Sequence, residues 1–291
     1  MLKNLSHDKI SPTAKLVAYW RRFSDIPFSK DIADLFEVEK AVEAIFNTQA
    51  SSTFDDLLVP LVEIRYKCLQ NIILESKAQQ VLEFASGISL RGLAMTIKDP
   101  QLTYIETDLA DLNSEKLTLV QKIMQRNNLI KPNNLFFEPV NILHKKDIAS
   151  VLNKFNLDKP IIIINEGLFQ YLNHDEKREA ALNIKPILKR SGGMWVTPDF
   201  DSKQEHLGRD IDKEHFAPIM NAITKSTGRS FLENSFESEA AIFSFFEELG
   251  FRVEKREQFN KNIMLSTYKD RTMSPEIQDL LKSLKLWVLR V

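Results

Sequence analysis

Cysteine is nearly missing from this chain: Cys68 is the single one among 291 residues. A lone thiol excludes an internal disulfide and any zinc site built from several cysteines. Its apolar neighbourhood predicts a buried structural thiol. Charge of one sign is missing too, with 39 Lys and Arg against 40 Asp and Glu and a formal net charge of −1. Without a basic excess, neither nucleic acid nor an anionic membrane is expected as a partner. Long hydrophobic runs are absent: the longest purely aliphatic one, Ile161–Ile164, is far too short to span a bilayer. The opening MLKNLSHDKISPTAK lacks the apolar core of a secretion signal, so a soluble, cytoplasmic protein is expected. The five histidines, His7, His144, His174, His206 and His215, fall into no metal-ligand spacing, and no metal is expected. Glycine is scarce at 8 residues, which matters most at one loop considered below.

What is present is a change of pattern near residue 79. Before it, apolar residues recur at helical spacing. Leu16, Tyr19, Trp20 and Phe23 follow the Ser11-Pro12 start signal, Ile32 to Phe46 form a second stretch, and Leu58 to Ile73 a third. After it, strands and helices alternate. QQVLEFA, QLTYIETD, NLFFEPV, PIIIINEG and GGMWVTPDF read as strands, separated by helical segments. Asn173 and Glu176 make a capping-box signature before one of these helices, and Pro186 predicts a kink in it. FRVEKREQF and NIMLSTYKD then read as two closing strands joined as an antiparallel hairpin. The expectation is an α/β fold with a mostly parallel sheet: a helical cap over 1–78, a core over 79–270, and an amphipathic tail over 271–291 that packs on its own domain.

The scarce glycines bear on VLEFASGISLRG, residues 81–92, where a strand runs into a loop. A dinucleotide site wants three glycines for the turn, the pyrophosphate approach and close helix packing. Aligned on Gly87, those places hold Ala85, Gly87 and the bulky Leu90, which fits a pyrophosphate poorly. The small residues Ala85, Gly87 and Ser89 would let a backbone approach the methionine portion of S-adenosylmethionine, while an ordinary strand–helix turn stays open as the alternative. Glu83 is placed to organise the loop or meet a ligand ammonium. Glu106 or Asp108, roughly 20 residues past Gly87, stands where doubly wound folds put a carboxylate for ribose hydroxyls. Glu166 follows four isoleucines, an unusual setting for an unpaired carboxylate.

In their order and spacing, SPTAKLVAYWR, VEIRYK, VLEFASG, YIETD and INEGLFQYL resemble the leucine carboxyl methyltransferase family, which includes bacterial polyketide-type O-methyltransferases. The resemblance runs from about Ser11 to Lys269. It implies a class I, Rossmann-like methyltransferase fold with a seven-stranded sheet, and S-adenosylmethionine as cofactor. It implies that Lys15 and Arg65 reach the methionine carboxylate, that Gly87 is the loop glycine, that Asp108 binds the ribose and that Glu166 is a late acidic contact. Asn141, with Ile142 beside it, stands where the family usually has an aspartate near the adenine. The implied reaction is methyl transfer by in-line displacement to a carboxylate or hydroxyl of a small molecule or peptide. A carboxylate acceptor, ionised at pH 7, needs no general base. Arg91, His206 and Arg209 are candidates for orienting the acceptor. Two other readings stand beside this one: a methyltransferase-like binding protein without turnover, and a nicotinamide-dependent oxidoreductase.

Overall fold

The computed structural model describes residues 12–46, 52–208, 221, 224 and 227–291. Among these the chain opens with α1 (Pro12–Arg21), α2 (Ser29–Leu35), α3 (Val38–Phe46) and α4 (Ser52–Ser76). Ser11 of the expected start signal lies outside the described residues. Alternation follows through β1 (Gln80–Phe84), α5 (Arg91–Lys98), β2 (Thr103–Asp108), α6 (Ala110–Arg126), β3 (Leu135–Pro139), α7 (Lys145–Val151), β4 (Ile161–Asn165), α8 (His174–Ser191) and β5 (Gly193–Thr197). After α9 (Lys203–Gly208) come α10 (Phe231–Asn234), α11 (Glu239–Glu248), β6 (Arg252–Glu257), α12 (Pro275–Ser283) and β7 (Lys285–Arg290).

The strands make one seven-stranded sheet in the order β3-β2-β1-β4-β5-β7-β6. β1 to β5 run parallel, and β7 runs antiparallel to both β5 and β6. β1 and β4 sit in the middle and are buried at every position, as strands covered on both faces must be. Period-two alternation sorts the side chains into two cores. Val81, Ile162, Ile164, Val196 and Val288 face α1 to α6 and α12. Leu82, Ile163, Trp195, Trp287 and Leu289 face α7, α8 and α11. The capping box at the start of α8 forms as expected: Glu176 N–H donates to Asn173 Oδ1 at 2.9 Å, and Asn173 N–H to Glu176 Oε2 at 2.8 Å. No helix among the described residues is long and apolar enough to cross a membrane.

The antiparallel end is present, but its second strand is not NIMLSTYKD. That segment is a loop with a short turn at Ser266–Tyr268. The buried Glu63 of α4 holds it, accepting Ser266 N–H at 2.6 Å, Ser266 Oγ–H at 2.7 Å and both donors of Thr267. The partner of β6 is β7, drawn from the stretch expected to be an amphipathic tail. The physical reason lies in Leu286–Leu289, all at most 3% exposed, which fill both cores at once. A segment buried on two faces shows no alternation to mark it as a strand.

Candidate active site

The strand order reverses between β1 and β4, and in doubly wound sheets the ligand crevice lies beyond the carboxyl ends of the strands at such a point. The loop after β1 is shaped by two residues in left-handed conformation, Ala85 at φ 51° and Gly87 at φ 55°. It is stitched to the end of β2. Ser86 N–H donates to Thr107 O at 2.9 Å, and Gly87 N–H donates to Asp108 Oδ2 at 2.7 Å. Asp108 Oδ1 accepts Leu109 N–H at 2.8 Å. Each Asp108 oxygen therefore keeps lone-pair capacity for a ligand hydroxyl. Burial raises its carboxyl pKa, opposed by the two backbone N–H donors. A Cβ at Gly87 would meet nothing within 4 Å, so space lies open in front of this backbone. Ser89 Oγ, buried in the same loop, has no hydrogen-bond partner in the protein.

Glu83 and Glu106 lie side by side in register on the face toward α5 and α6, at 1% and 0% exposure. Glu83 is ion-paired to Arg91 and accepts the Tyr104 hydroxyl at 2.6 Å. Glu106 is ion-paired to Lys116 and accepts Gly92 N–H at 2.6 Å. Both carboxylates support the loop from beneath. Of the two acids of YIETD, Asp108 is the one at the strand end beside the loop.

The N-terminal helices bring cations over the crevice. Arg65 of α4 donates to Asp199 Oδ1 at 2.8 Å and lies 3.8 Å from Glu166. Arg21, in the last turn of α1, donates to Glu166 Oε1 at 2.5 Å, and Arg91 donates to Glu166 Oε2 at 2.7 Å. Three guanidiniums thus converge on one carboxylate. Burial would raise the Glu166 pKa, yet Arg21, Arg91 and Arg65 hold it down to about 2. The Tyr66 ring lies beneath two of them, 4.4 Å from the Arg91 guanidinium carbon and 5.3 Å from that of Arg21. Lys15, earlier on α1, is half-buried, and the Thr13 hydroxyl, which the Tyr171 hydroxyl bonds at 3.0 Å, ties the start of that helix to the loop after β4.

At the end of β3, Asn141 Oδ1 closes a turn by accepting Leu143 N–H at 3.0 Å. Ile142 is buried, with its carbonyl bonded by Asn183 at 3.0 Å. Arg91 is fully buried and engaged on two carboxylates, Glu83 and Glu166. His206 belongs to α9 by its backbone, and Arg209 lies outside the described residues.

Sequence reasoning missed Arg21 and Asp199. Asp199, buried just past β5, accepts Gly167 and Leu168 N–H at 2.8 Å, Phe169 N–H at 3.2 Å and Asn165 Nδ2 at 2.7 Å, besides Arg65. It locks the loop that carries Glu166. The signal was there in TPDF, an acid directly after an apolar strand, as with Asp108 and Glu166. Arg21 gave no such signal, since its neighbour Arg22 looks the same in sequence and bonds the exposed Glu39 instead.

No protein-family model matches the sequence, and no curated protein matches it. Solved structures do. A DUF574 family protein from Streptomyces avermitilis is 13% identical, with 96% of each chain covered and a TM-score of 0.60. The two chains share a fold, here the seven-stranded, mostly parallel α/β sheet with an antiparallel end. Others include a putative O-methyltransferase from Nostoc punctiforme, 9% identical, with 99% of this chain and 75% of that one covered and a TM-score of 0.48. A magnesium protoporphyrin IX methyltransferase from Synechocystis, solved with S-adenosylhomocysteine, is 9% identical, with 90% and 97% covered and a TM-score of 0.48. At 13% identity the likeness to the Streptomyces protein speaks for a shared fold alone.

Proposed function

We propose that this protein is an S-adenosylmethionine-dependent O-methyltransferase of the leucine carboxyl methyltransferase type. Its acceptor is a carboxylate or hydroxyl of a small molecule or peptide. The observation that carries the reading is the loop after β1: a left-handed Gly87 with open space before it, tied to Asp108 beside the β1/β4 crevice. Leu90, bulky where a dinucleotide loop has its third glycine, speaks against a pyrophosphate.

In this reading Asp108 takes the ribose hydroxyls, and the Gly87 backbone lies against the methionine portion. Asn141 and Ile142 border the adenine. Arg65 and Lys15 receive the methionine carboxylate, and Glu166 meets the ammonium. Arginine suits this carboxylate because its planar fork can grip both oxygens. The bound cofactor supplies a methyl group already activated on a sulfonium. What remains for the protein is to hold an acceptor oxygen in line behind that methyl, a positioning task for which a carboxylate needs no base.

Thermal shift with S-adenosylmethionine, S-adenosylhomocysteine, NAD and NADP tests the reading. A ligand that binds only the native state at about 100 times its Kd adds roughly 2.7 kcal/mol of stability. The two adenosyl ligands should raise the melting temperature and the nicotinamide ligands should not; stabilisation by NAD alone overturns the proposal. A methyl-transfer assay over carboxylate and hydroxyl acceptors then separates an enzyme from a protein that only binds. Arg65→Ala should weaken S-adenosylhomocysteine binding on the order of a hundredfold, as loss of a charge-assisted bond does. Unchanged affinity in a titration of that variant removes Arg65 from the cofactor site.

A further inference from the structure

We infer that Lys116 is a positioning residue for the ligand loop, gripping both ends of that loop from α6 so that it keeps its shape with only two glycines. The ligand part of this inference rests on the proposed function. Lys116 stands in the helical segment SEKLTLVQ, where a solvated lysine would be ordinary, yet it is 1% exposed. Its ammonium is ion-paired to Glu106 and donates to Ser86 Oγ at 2.8 Å. Ser86 is in turn bound to Thr107 O through its N–H at 2.9 Å and its hydroxyl at 3.2 Å. That fixes the start of the loop. The end is fixed through Glu106, whose other oxygen accepts Gly92 N–H at 2.6 Å. Residues 87–90, with the open Gly87 and the unpartnered Ser89 Oγ, lie between these two anchors, and Gly87 N–H is held besides by Asp108.

Stability alone is a weak reason to bury such a pair, since well-packed apolar residues of similar size are often as stable. The contacts point instead to geometry. One ammonium and one carboxylate tie Ser86 of the loop and Gly92 of α5 to Glu106 of β2. The Phe137 ring, 5.8 Å from the ammonium, closes the site from β3. The other charged or titratable groups that act here are Glu83 on β1, its partner Arg91 on α5, Tyr104 and Asp108 on β2 and Tyr66 on α4.

The test compares wild type with Lys116→Met, Lys116→Arg and the double variant Lys116→Met/Glu106→Gln. Hydrogen exchange of the ligand-free proteins reads the loop directly. Amides of residues 86–92 should exchange at least tenfold faster in Lys116→Met and in the double variant, while those of β4 and β5 keep wild-type rates. Titration with S-adenosylhomocysteine from pH 6 to 9 reads the consequence. Lys116→Met should bind at least tenfold more weakly, and increasingly so as pH rises and the uncompensated Glu106 ionises. The double variant should regain thermal stability and a flat pH profile but not affinity, and Lys116→Arg should recover most of it. A purely structural role predicts that affinity returns with stability in the double variant, and that result overturns the inference, as do wild-type exchange rates in the loop. If wild type itself binds no S-adenosylhomocysteine, the proposed function falls, and the exchange measurement still decides the role of Lys116. Should Lys116→Met fail to fold, the charge-neutral double variant serves in both arms.

Discussion

At Gly92 a Cβ would lie 2.5 Å from Glu106 Oε1, 2.8 Å from Tyr104 Cδ1 and 2.9 Å from Leu135 Cδ1. Gly87 meets no such wall but needs its positive φ. The two substitutions should therefore fail differently. Gly92→Ala overpacks a buried site and should cost about 1–3 kcal/mol in urea unfolding. Gly87→Ala should cost about 1–2 kcal/mol through the left-handed backbone alone, and its main effect should be weaker binding of S-adenosylhomocysteine. Equal stability and equal binding in both variants would contradict this division of labour. Glycine scarcity in VLEFASGISLRG thus has a physical account: one glycine gives the turn, the other lets a buried carboxylate approach, and charged side chains support what lies between.

Among the elements, β7 carries the largest consequence. It lies between β5 and β6, and Trp287, Val288 and Leu289 are each 0% exposed. Its indole N–H reaches back to Phe200 O at 2.9 Å, joining the last strand to the segment after β5. A chain truncated before Lys285 loses a strand from inside the sheet and strands β6 without a partner. It should show no cooperative melting transition by circular dichroism. A sharp transition near the wild-type temperature would mean that the tail only decorates the surface. β6 itself tolerates an edge position because Arg252, Glu254, Lys255, Arg256 and Glu257 line it with charge, which discourages pairing with other chains.

For the whole molecule, the charged cluster over the crevice ties stability to pH. Glu166 has an ordinary value of 4.5 and is held at about 2 in the folded protein. Its contribution is complete above pH 4.5 and is lost as pH falls toward 2, because the unfolded state then binds the proton first. The size is about 3 kcal/mol by linkage. Asp108, Glu106 and Asp199 are raised by burial and act in the opposite sense, so the measurement has to be a difference. Glu166→Gln should be less stable than wild type at pH 6, and the gap should narrow between pH 4.5 and 2. A gap that stays constant in denaturant titrations across that range would show that the three guanidiniums do not stabilise the ionised form.

The amino-acid sequence by itself determined the alternating α/β order, the capping box before α8, and the placement of Asp108 and Glu166 at strand ends. These are local: periodicity and short-range signals depend on neighbours a few residues away. Tertiary structure alone decided that LKLWVLR is a core strand and NIMLSTYKD a loop pinned by Glu63, because a strand buried on both faces carries no alternation and its partner is distant in the chain. It alone separated Arg21 from Arg22 and turned Lys116 from a surface charge into a support for the ligand loop. A charged side chain takes its role from what lies opposite it, and for these residues that partner comes from elsewhere in the chain. Composition and spacing do not encode that distance; packing does.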